Sequence, residues 1–495
     1  MMLNSVSALT HQIVSIICGF VLPRFFLSYY GSAVNGLVSS ITQFLGIISL
    51  ADCGVGAVMQ TALYKPLADN DDKAISRIVV SSERFFRRVA YILAGYVFVL
   101  AIVYPFITIK SFDYLFTVTL IIAISISTFA QYYLGITYRL ILIADQLGFL
   151  QYTLHIATLL LNTAGCIILM KCGASIQAVK LTTSLIFVLQ PLILSYIAKK
   201  RYKIDRFVKI TEEPIKQKWN GLYQHIASVV LENTDTLVLT VFSTLENVSV
   251  YAVYHLVVNG LKTVIVSVTN GMRAMFGNIM ARGEDETLIN TFDNIEWLLH
   301  TVITFVFSVA AVLILPFVSV YTEKIHDANY IVPVFAYLIT AAQASYCFRL
   351  PYNIVILAAG HFKETQWSAV TEAGMNVVIS VALVSRFGLV GVAIGTLAAM
   401  TYRTCYFVWY LSKNILYRSI GFFVKHIIAD AVSAASIILF TKLFSGFFML
   451  QSKSFAGWGI LAVKTGILGL LVVFVINVLF YREKLICYLK KLRRA

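Results

Sequence analysis

Fourteen apolar segments, each twenty residues or longer, run the length of this 495-residue chain: 6–28, 35–62, 89–109, 114–137, 150–170, 175–198, 219–244, 248–273, 295–320, 331–358, 366–385, 389–412, 424–448 and 457–480. About 20 apolar residues cross the hydrocarbon core of a bilayer as a helix, and inside that core a helix meets its own backbone hydrogen bonds. The expected fold is therefore an all-α polytopic membrane protein with about 14 transmembrane helices. Charged residues make up 13% of the chain, about half the share of a soluble domain. That excludes a soluble enzyme, a disordered chain and, despite a net charge of +15, a nucleic-acid binder.

The basic excess is informative by position. Lys65, Lys73, Arg77, Arg84, Arg87 and Arg88 follow the second segment. Lys199, Lys200, Arg201, Lys203, Arg206, Lys209, Lys216 and Lys218 follow the sixth, and Arg482, Lys484, Lys490, Lys491, Arg493 and Arg494 make the tail. Lys and Arg gather on cytoplasmic loops, so both termini and the 199–218 stretch are expected inside, as an even number of spans requires. The first run, from Ser5 to Tyr30, lacks a basic region before it and reads as a retained span, not a cleaved signal. The opposite loops are short and leave no room for an external catalytic domain. The seven cysteines are scattered without a CxxC pair, which suggests neither a disulfide framework nor a zinc site.

The chain repeats itself. Tyr104-Pro105-Phe106 recurs as Leu315-Pro316-Phe317, Gln151-Tyr152 as Gln366-Trp367, and Lys171-Cys172-Gly173 as Arg386-Phe387-Gly388. Segments one to six thus correspond to seven to twelve, two six-helix bundles in parallel repeat, as in transporters whose substrate path lies between the halves. The expected organisation is 1–198 as one lobe, 199–218 as a basic linker and 219–413 as the second lobe. Residues 414–495 add two C-terminal helices and a basic tail.

Ionisable groups at mid-bilayer cost about 2.5–3.5 kcal/mol each on insertion scales. Lys180, Glu372 and Asp430 lie near segment ends and are expected to reach the interface. Arg24 follows Pro23, and either snorkels outward or is turned inward by a kink. Arg349 precedes Pro351, where a helix break is expected, and Arg403 lies mid-segment. Guanidinium binds phosphate bidentately, so several interior arginines point to an anionic, phosphate-bearing substrate. On the seventh segment His225, Ser228, Glu232, Asp235 and Thr236 share a stripe; on the eighth, His255, Asn259, Lys262, Thr269, Asn270 and Arg273 form another. Hairpin geometry puts Glu232 level with Lys262, either as a structural pair or as one that opens when substrate or a proton arrives. Glu232, Asp235 and Asp52 are the candidates for ion coupling or charge pairing. There is no Walker A motif, dinucleotide loop, HExxH or nucleophile elbow. No catalytic residue, cofactor or metal site is expected, and the protein is read as a non-enzyme.

Pro23-Arg24-Phe25-Phe26, Tyr30-Gly31-Ser32-Ala33-Val34-Asn35-Gly36-Leu37 and Leu50-Ala51-Asp52-Cys53-Gly54-Val55-Gly56 resemble the opening of bacterial Wzx-type polysaccharide flippases. These belong to the multidrug/oligosaccharidyl-lipid/polysaccharide exporter superfamily. Asn233-Thr234-Asp235-Thr236-Leu237 and Tyr251 are similar to the same family. The resemblance implies a polyprenyl-diphosphate-linked oligosaccharide moved from the inner to the outer leaflet of the bacterial cytoplasmic membrane by alternating access, for capsule, O-antigen or exopolysaccharide synthesis. It implies as partners the lipid bilayer and the polymerase and glycosyltransferases of that synthesis, and no nucleic acid. It places Arg24 and Arg273 in a cationic cavity, which Lys262, Arg349 and Arg403 would extend. It assigns the last two helices to a groove for the polyprenyl tail, with Lys464 inside it. The alternative is a drug or cation antiporter of the same superfamily, whose site would need an acidic excess. Reporter fusions after Lys209 and Arg494 are expected to score cytoplasmic; a periplasmic signal after Lys209 overturns the count of spans.

Overall fold

The computed structural model describes residues 2–52, 55–208 and 222–485, and all regular structure among them is helical. The first two apolar segments share α1 (Met2–Gly46), which leaves helical φ/ψ at Gly31 (φ 80, ψ 176). Only glycine takes that conformation without a steric penalty, so a kink separates the two segments there. α2 (Ser49–Asp52) and α3 (Val55–Ala68) complete the second segment. The third is α4 (Asp72–Thr108), opened by Asp71, whose carboxylate accepts from the Lys73 and Ala74 amides at 3.0 and 2.9 Å; such a cap satisfies donors the first turn leaves free. The fourth comprises α5 (Tyr114–Ala130), a π-helical turn (Gln131–Gly135) and α6 (Ile136–Ala144). Next come α7 (Gly148–Lys171), α8 (Ile176–Arg201), α9 (Leu222–Phe242), α10 (Leu245–Asn270) and α11 (Arg273–Ala281). The chain continues through α12 (Asp285–Tyr321), α13 (Pro333–Phe348), α14 (Leu350–Ala358), α15 (Phe362–Phe387) and α16 (Leu389–Asn414). It closes with α17 (Gly421–Leu443) and α18 (Phe455–Phe480).

Among the described residues, ten continuous helical stretches are long and apolar enough to cross a bilayer by themselves. The other segments are the second, which shares α1, the seventh (α9), the tenth, which is broken between α13 and α14, and the twelfth (α16). The internal repeat is visible in the lengths: α4 and α12 have 37 residues each, with Pro105 and Pro316 near their ends, and α8 and α16 have 26 each.

By packing, the chain forms two compact units, 1–249 and 250–495. In the first, α9 and the first turns of α10 lie along the second half of α1. The Asn35 amide donates to Ser249 Oγ at 2.8 Å, the Ser40 and Thr240 hydroxyls bond at 2.7 Å, and Tyr104 donates to Ser40 at 2.7 Å. Further along, His225 Nε2 meets the Ser49 carbonyl at 2.7 Å. The backbones come closest at Gly36, where a Cβ would stand 1.8 Å from the Leu245 carbonyl oxygen. The seventh helix thus packs with the first unit, whereas the internal repeat counts it with the second lobe; packing and similarity divide the chain at different places. At the basic end of this unit, Asp145 accepts from Arg201 Nε at 3.2 Å and from the Tyr202 hydroxyl at 2.6 Å. Burial, then Asp145, pushes the Tyr202 phenol up, which keeps it a donor.

In the second unit α12 is central: α13, α17 and α18 pack on it, while α15 packs on α16 and α16 on α13. The 37-residue length of α12 lets it serve both sets of neighbours. Gly36→Ala is expected to destabilise the protein by about 1–3 kcal/mol, the usual cost of overpacking, because the obstructing atom is backbone. Thermal unfolding of the solubilised protein checks this, with Gly19→Ala, where nothing lies within 4 Å, expected to be neutral.

Candidate functional site

The break expected before Pro351 is present. α13 ends at Phe348 and α14 begins at Leu350, with Arg349 as the joint. Its guanidinium is directed into the second unit, where Nη1 donates to Glu372 Oε1 on α15 at 2.6 Å. Arg403, on α16, donates from Nη1 to Glu372 Oε2 at 2.6 Å. One carboxylate therefore bridges two arginines from different helices. The three side chains are 5% (Arg349), 1% (Glu372) and 13% (Arg403) exposed. Glu372 does not reach the interface as its position near a segment end suggested. Lys180 and Asp430 also differ from that expectation: Lys180 Nζ lies 4.1 Å from the Phe26 ring, and Asp430 bonds His300 at 2.6 Å. In each case a nearer partner inside the protein outcompetes the interface, since an unpaired charge in hydrocarbon is costly.

Lys262 joins the same group through an aromatic ring. Its Nζ stands 5.1 Å from the Tyr346 ring centroid, and Arg349 Cζ stands 4.4 Å from the same ring. Arg403 lies over Phe407 at 5.0 Å. Aromatic faces attract cations through the ring quadrupole, so Tyr346 and Phe407 hold the cations in place without neutralising them. The cluster contains three formal positive charges and one negative. Arg403 Nε, buried, has no hydrogen-bond partner. Such an arrangement can accept an anion: a surplus of fixed cations, donors already desolvated and one donor uncommitted.

The other expected site residues are placed differently. Arg273 begins α11, exposed, with its guanidinium 5.5 Å from the Phe362 ring. Arg24 is half-buried on α1, which keeps helical φ/ψ through Pro23 and departs from them at Gly31. Glu232 is exposed on α9 and makes no ion pair within its own unit among the described residues, whereas Asp235, one turn later, is buried. The expected polar stripe of α9 is thus split, with Ser228 and Glu232 exposed and Asp235 and Thr236 buried. Asp52 ends α2, and its side chain lies outside the described residues, as do Lys209, Lys216 and Lys218 of the basic linker.

Two cavities accompany these charges. In the first unit one of about 80 Å³ is lined by Gln131, Arg139, His155 and Gln190, beside the π-helical turn; such turns free backbone groups at functional sites. In the second, a cleft of about 400 Å³ lies between α12, α13 and α17, with Tyr337, Ile438, Phe448 and Met449 on its walls. Lys464 does not occupy it. Its ammonium meets the Phe447 ring at 4.2 Å and donates to the Phe447 carbonyl at 3.3 Å.

A second polar cluster escaped the sequence reading altogether. It joins Glu296, His300, Tyr352, Arg418, His426 and Asp430. Its signal was present: Glu296, His300 and Thr304, and likewise His426 and Asp430, recur every four residues and so share a helix face.

No family model and no curated protein matches the chain. Solved structures do. The chain is similar to the lipid II flippase MurJ in an inward closed conformation, with a TM-score of 0.70 at 14% identity over 98% of this chain and 99% of that one. It is also similar to an inward-facing multidrug resistance MATE family transporter of the MOP superfamily, with a TM-score of 0.62 at 14% identity over 82% of this chain and 97% of that one. A MATE protein in complex with MaL6 gives a TM-score of 0.53 at 14% identity over 83% and 96%. The chain has the all-α fold of these membrane transporters.

Removing Glu372 leaves two buried cations unpaired, whereas removing one arginine leaves a neutral pair. Glu372→Leu is therefore expected to cost about 3–5 kcal/mol, clearly more than Arg403→Met. Thermal unfolding in detergent ranks the two; equal losses overturn the bridged arrangement.

Proposed function

We propose that the protein is a flippase for a polyprenyl-diphosphate-linked oligosaccharide, moving it from the inner to the outer leaflet of the bacterial cytoplasmic membrane for surface polysaccharide synthesis. The observation that carries this reading is the charge surplus in the second unit, where Arg349 and Arg403 share the carboxylate of Glu372 and Lys262 adds a third cation across the Tyr346 ring. A diphosphate offers what these groups lack. Its oxygens accept several charge-assisted hydrogen bonds, and its charge offsets theirs. Arg24 and Arg273, the first half-buried and the second exposed, are suited to meet the headgroup on its way to or from that site. Alternating access of two six-helix lobes, 1–198 and 219–413, joined by the 199–218 linker, moves the headgroup while the tail stays in lipid. The cleft beside Tyr337, Ile438 and Met449 is apolar enough to hold part of that tail, with α17 on one side. Likeness of fold to a lipid II flippase supports the class of substrate. Likeness to multidrug transporters keeps a drug or cation antiporter as the alternative, and Glu232 and buried Asp235 are the acids that favour it. The cationic excess of the Glu372 cluster weighs against it.

Each arginine contact to phosphate is a charge-assisted bond of about 1.5–3 kcal/mol. Arg24→Ala and Arg273→Ala are each expected to lower export of surface glycan about tenfold or more at normal protein level. Lysine at either position restores part of it, because a point charge loses the bidentate contact. Quantifying surface glycan and protein abundance in parallel checks this. Normal export by the double alanine variant overturns the phosphate path, and efflux of an organic cation by the intact protein would favour the alternative.

A further inference from the structure

The cluster around His300 lies where α12, α14, α17 and the chain after α18 meet, and the proposed phosphate path makes no use of it. His300 Nδ1 bonds Asp430 Oδ2 at 2.6 Å, and Thr304 donates to Asp430 Oδ1 at 2.6 Å. His300 Nε2 faces the Tyr352 hydroxyl at 3.4 Å, which donates to Glu296 Oε1 at 2.5 Å. Arg418 bonds Glu296 and also Asp293, the latter at 2.7 Å. His426 Nε2 stands 3.6 Å from Glu296 Oε2, and its Nδ1 bonds the Tyr481 hydroxyl at 2.7 Å. The two imidazoles stack at 4.8 Å between centroids, with Phe348 and Phe423 against His300.

The charges facing this group can be assigned one by one. Arg418 is committed to Glu296 and Asp293. Lys484 donates to the Asp293 carbonyl at 3.1 Å, and Lys425 lies over the Tyr481 ring at 4.9 Å. None of these cations bonds Asp430, whose hydrogen-bond partners among the described residues are His300 and Thr304. Its side chain is 13% exposed and that of His300 is 1%. A carboxylate so placed needs a counter-charge, and the group positioned to supply it is the imidazole, by taking up a proton. Two stacked imidazoles cannot both be charged cheaply, so the cluster holds one such proton. Beside it lies a cavity of about 10 Å³ lined by His300, His426, Asp430 and Tyr481, the room one water occupies.

We propose that the His300–Asp430 pair is a proton-binding site whose occupancy sets how firmly α17 and α18 dock on α12. With the proton bound, the pair is neutral as a whole and α17 is held to α12 by a charge-assisted bond. With the proton lost, Asp430 keeps neutral donors, Thr304 and the imidazole, but no counter-charge in the seam between the two helices, and docking weakens. Docking is therefore firm while the pair holds its proton and looser once the proton is lost. The site joins α12, inside the internal repeat, to α17, outside it, and its action is separable from substrate identity.

Trp297 provides the readout, because its indole N–H donates to Asn477 on α18 at 2.6 Å. The experiment uses the full chain in lipid nanodiscs with the four other tryptophans replaced by Phe, and follows Trp297 emission against pH. The expected result is a red shift as pH rises, absent in Asp430→Asn, where the neutral amide needs no proton beside it. His300→Gln should give the alkaline spectrum at every pH; if that variant does not fold, Asp430→Asn still decides. An intact protein with flat emission, or an Asp430→Asn protein that keeps the transition, overturns the proposal. None of these outcomes depends on whether the substrate is a lipid-linked glycan.

Discussion

Hydrocarbon offers a charged group no partner, and the rest of this structure depends on that fact. Each intramembrane charge must reach water, find an opposite charge, or lie on an aromatic face. The protein uses the last two more than position along the helix suggests. Lys180 turns onto Phe26, Lys464 onto the Phe447 ring and carbonyl, Glu372 between two arginines, and Asp430 onto His300. The polar side chains of the second unit thus gather into two islands. In the Glu372 island cations outnumber the acid. In the His300 island the fixed cations stand on Glu296, Asp293 and Tyr481, and Asp430 has an imidazole beside it. The first suits an anion that comes and goes; the second suits a proton.

Much of the fold was legible in the sequence, because spans are a matter of length and apolarity and need no knowledge of partners. The joint at Arg349 was legible for a related reason: proline acts on its own backbone, whatever surrounds it. The repeat was legible through Pro105 and Pro316, which recur near the ends of α4 and α12 and so survive as landmarks where side chains have diverged.

The direction of each charge was not legible. Glu372 lies 23 residues from Arg349 and 31 from Arg403, and His300 lies 130 residues from Asp430; only helix packing decides that these meet. The rule that a charge near a span end reaches for water treats a helix as alone in lipid, and it fails wherever a neighbouring helix offers a closer partner. The Glu232–Lys262 argument used the depth of a hairpin and nothing about rotation. Depth alone leaves open which way a side chain faces: Glu232 is exposed, and Lys262 is turned to Tyr346.

The seam that α1 makes with α9 and the start of α10 has a character of its own. Its Asn35–Ser249 and Ser40–Thr240 bonds join neutral groups, and the closest approach, at Gly36, is made by a residue with no side chain to interlock. Each neutral bond has a net worth of only about 1 kcal/mol. Built this way, the seam is held by fit and by several weak bonds rather than by charge, so salt would leave it untouched while a single added methyl group would wedge it apart.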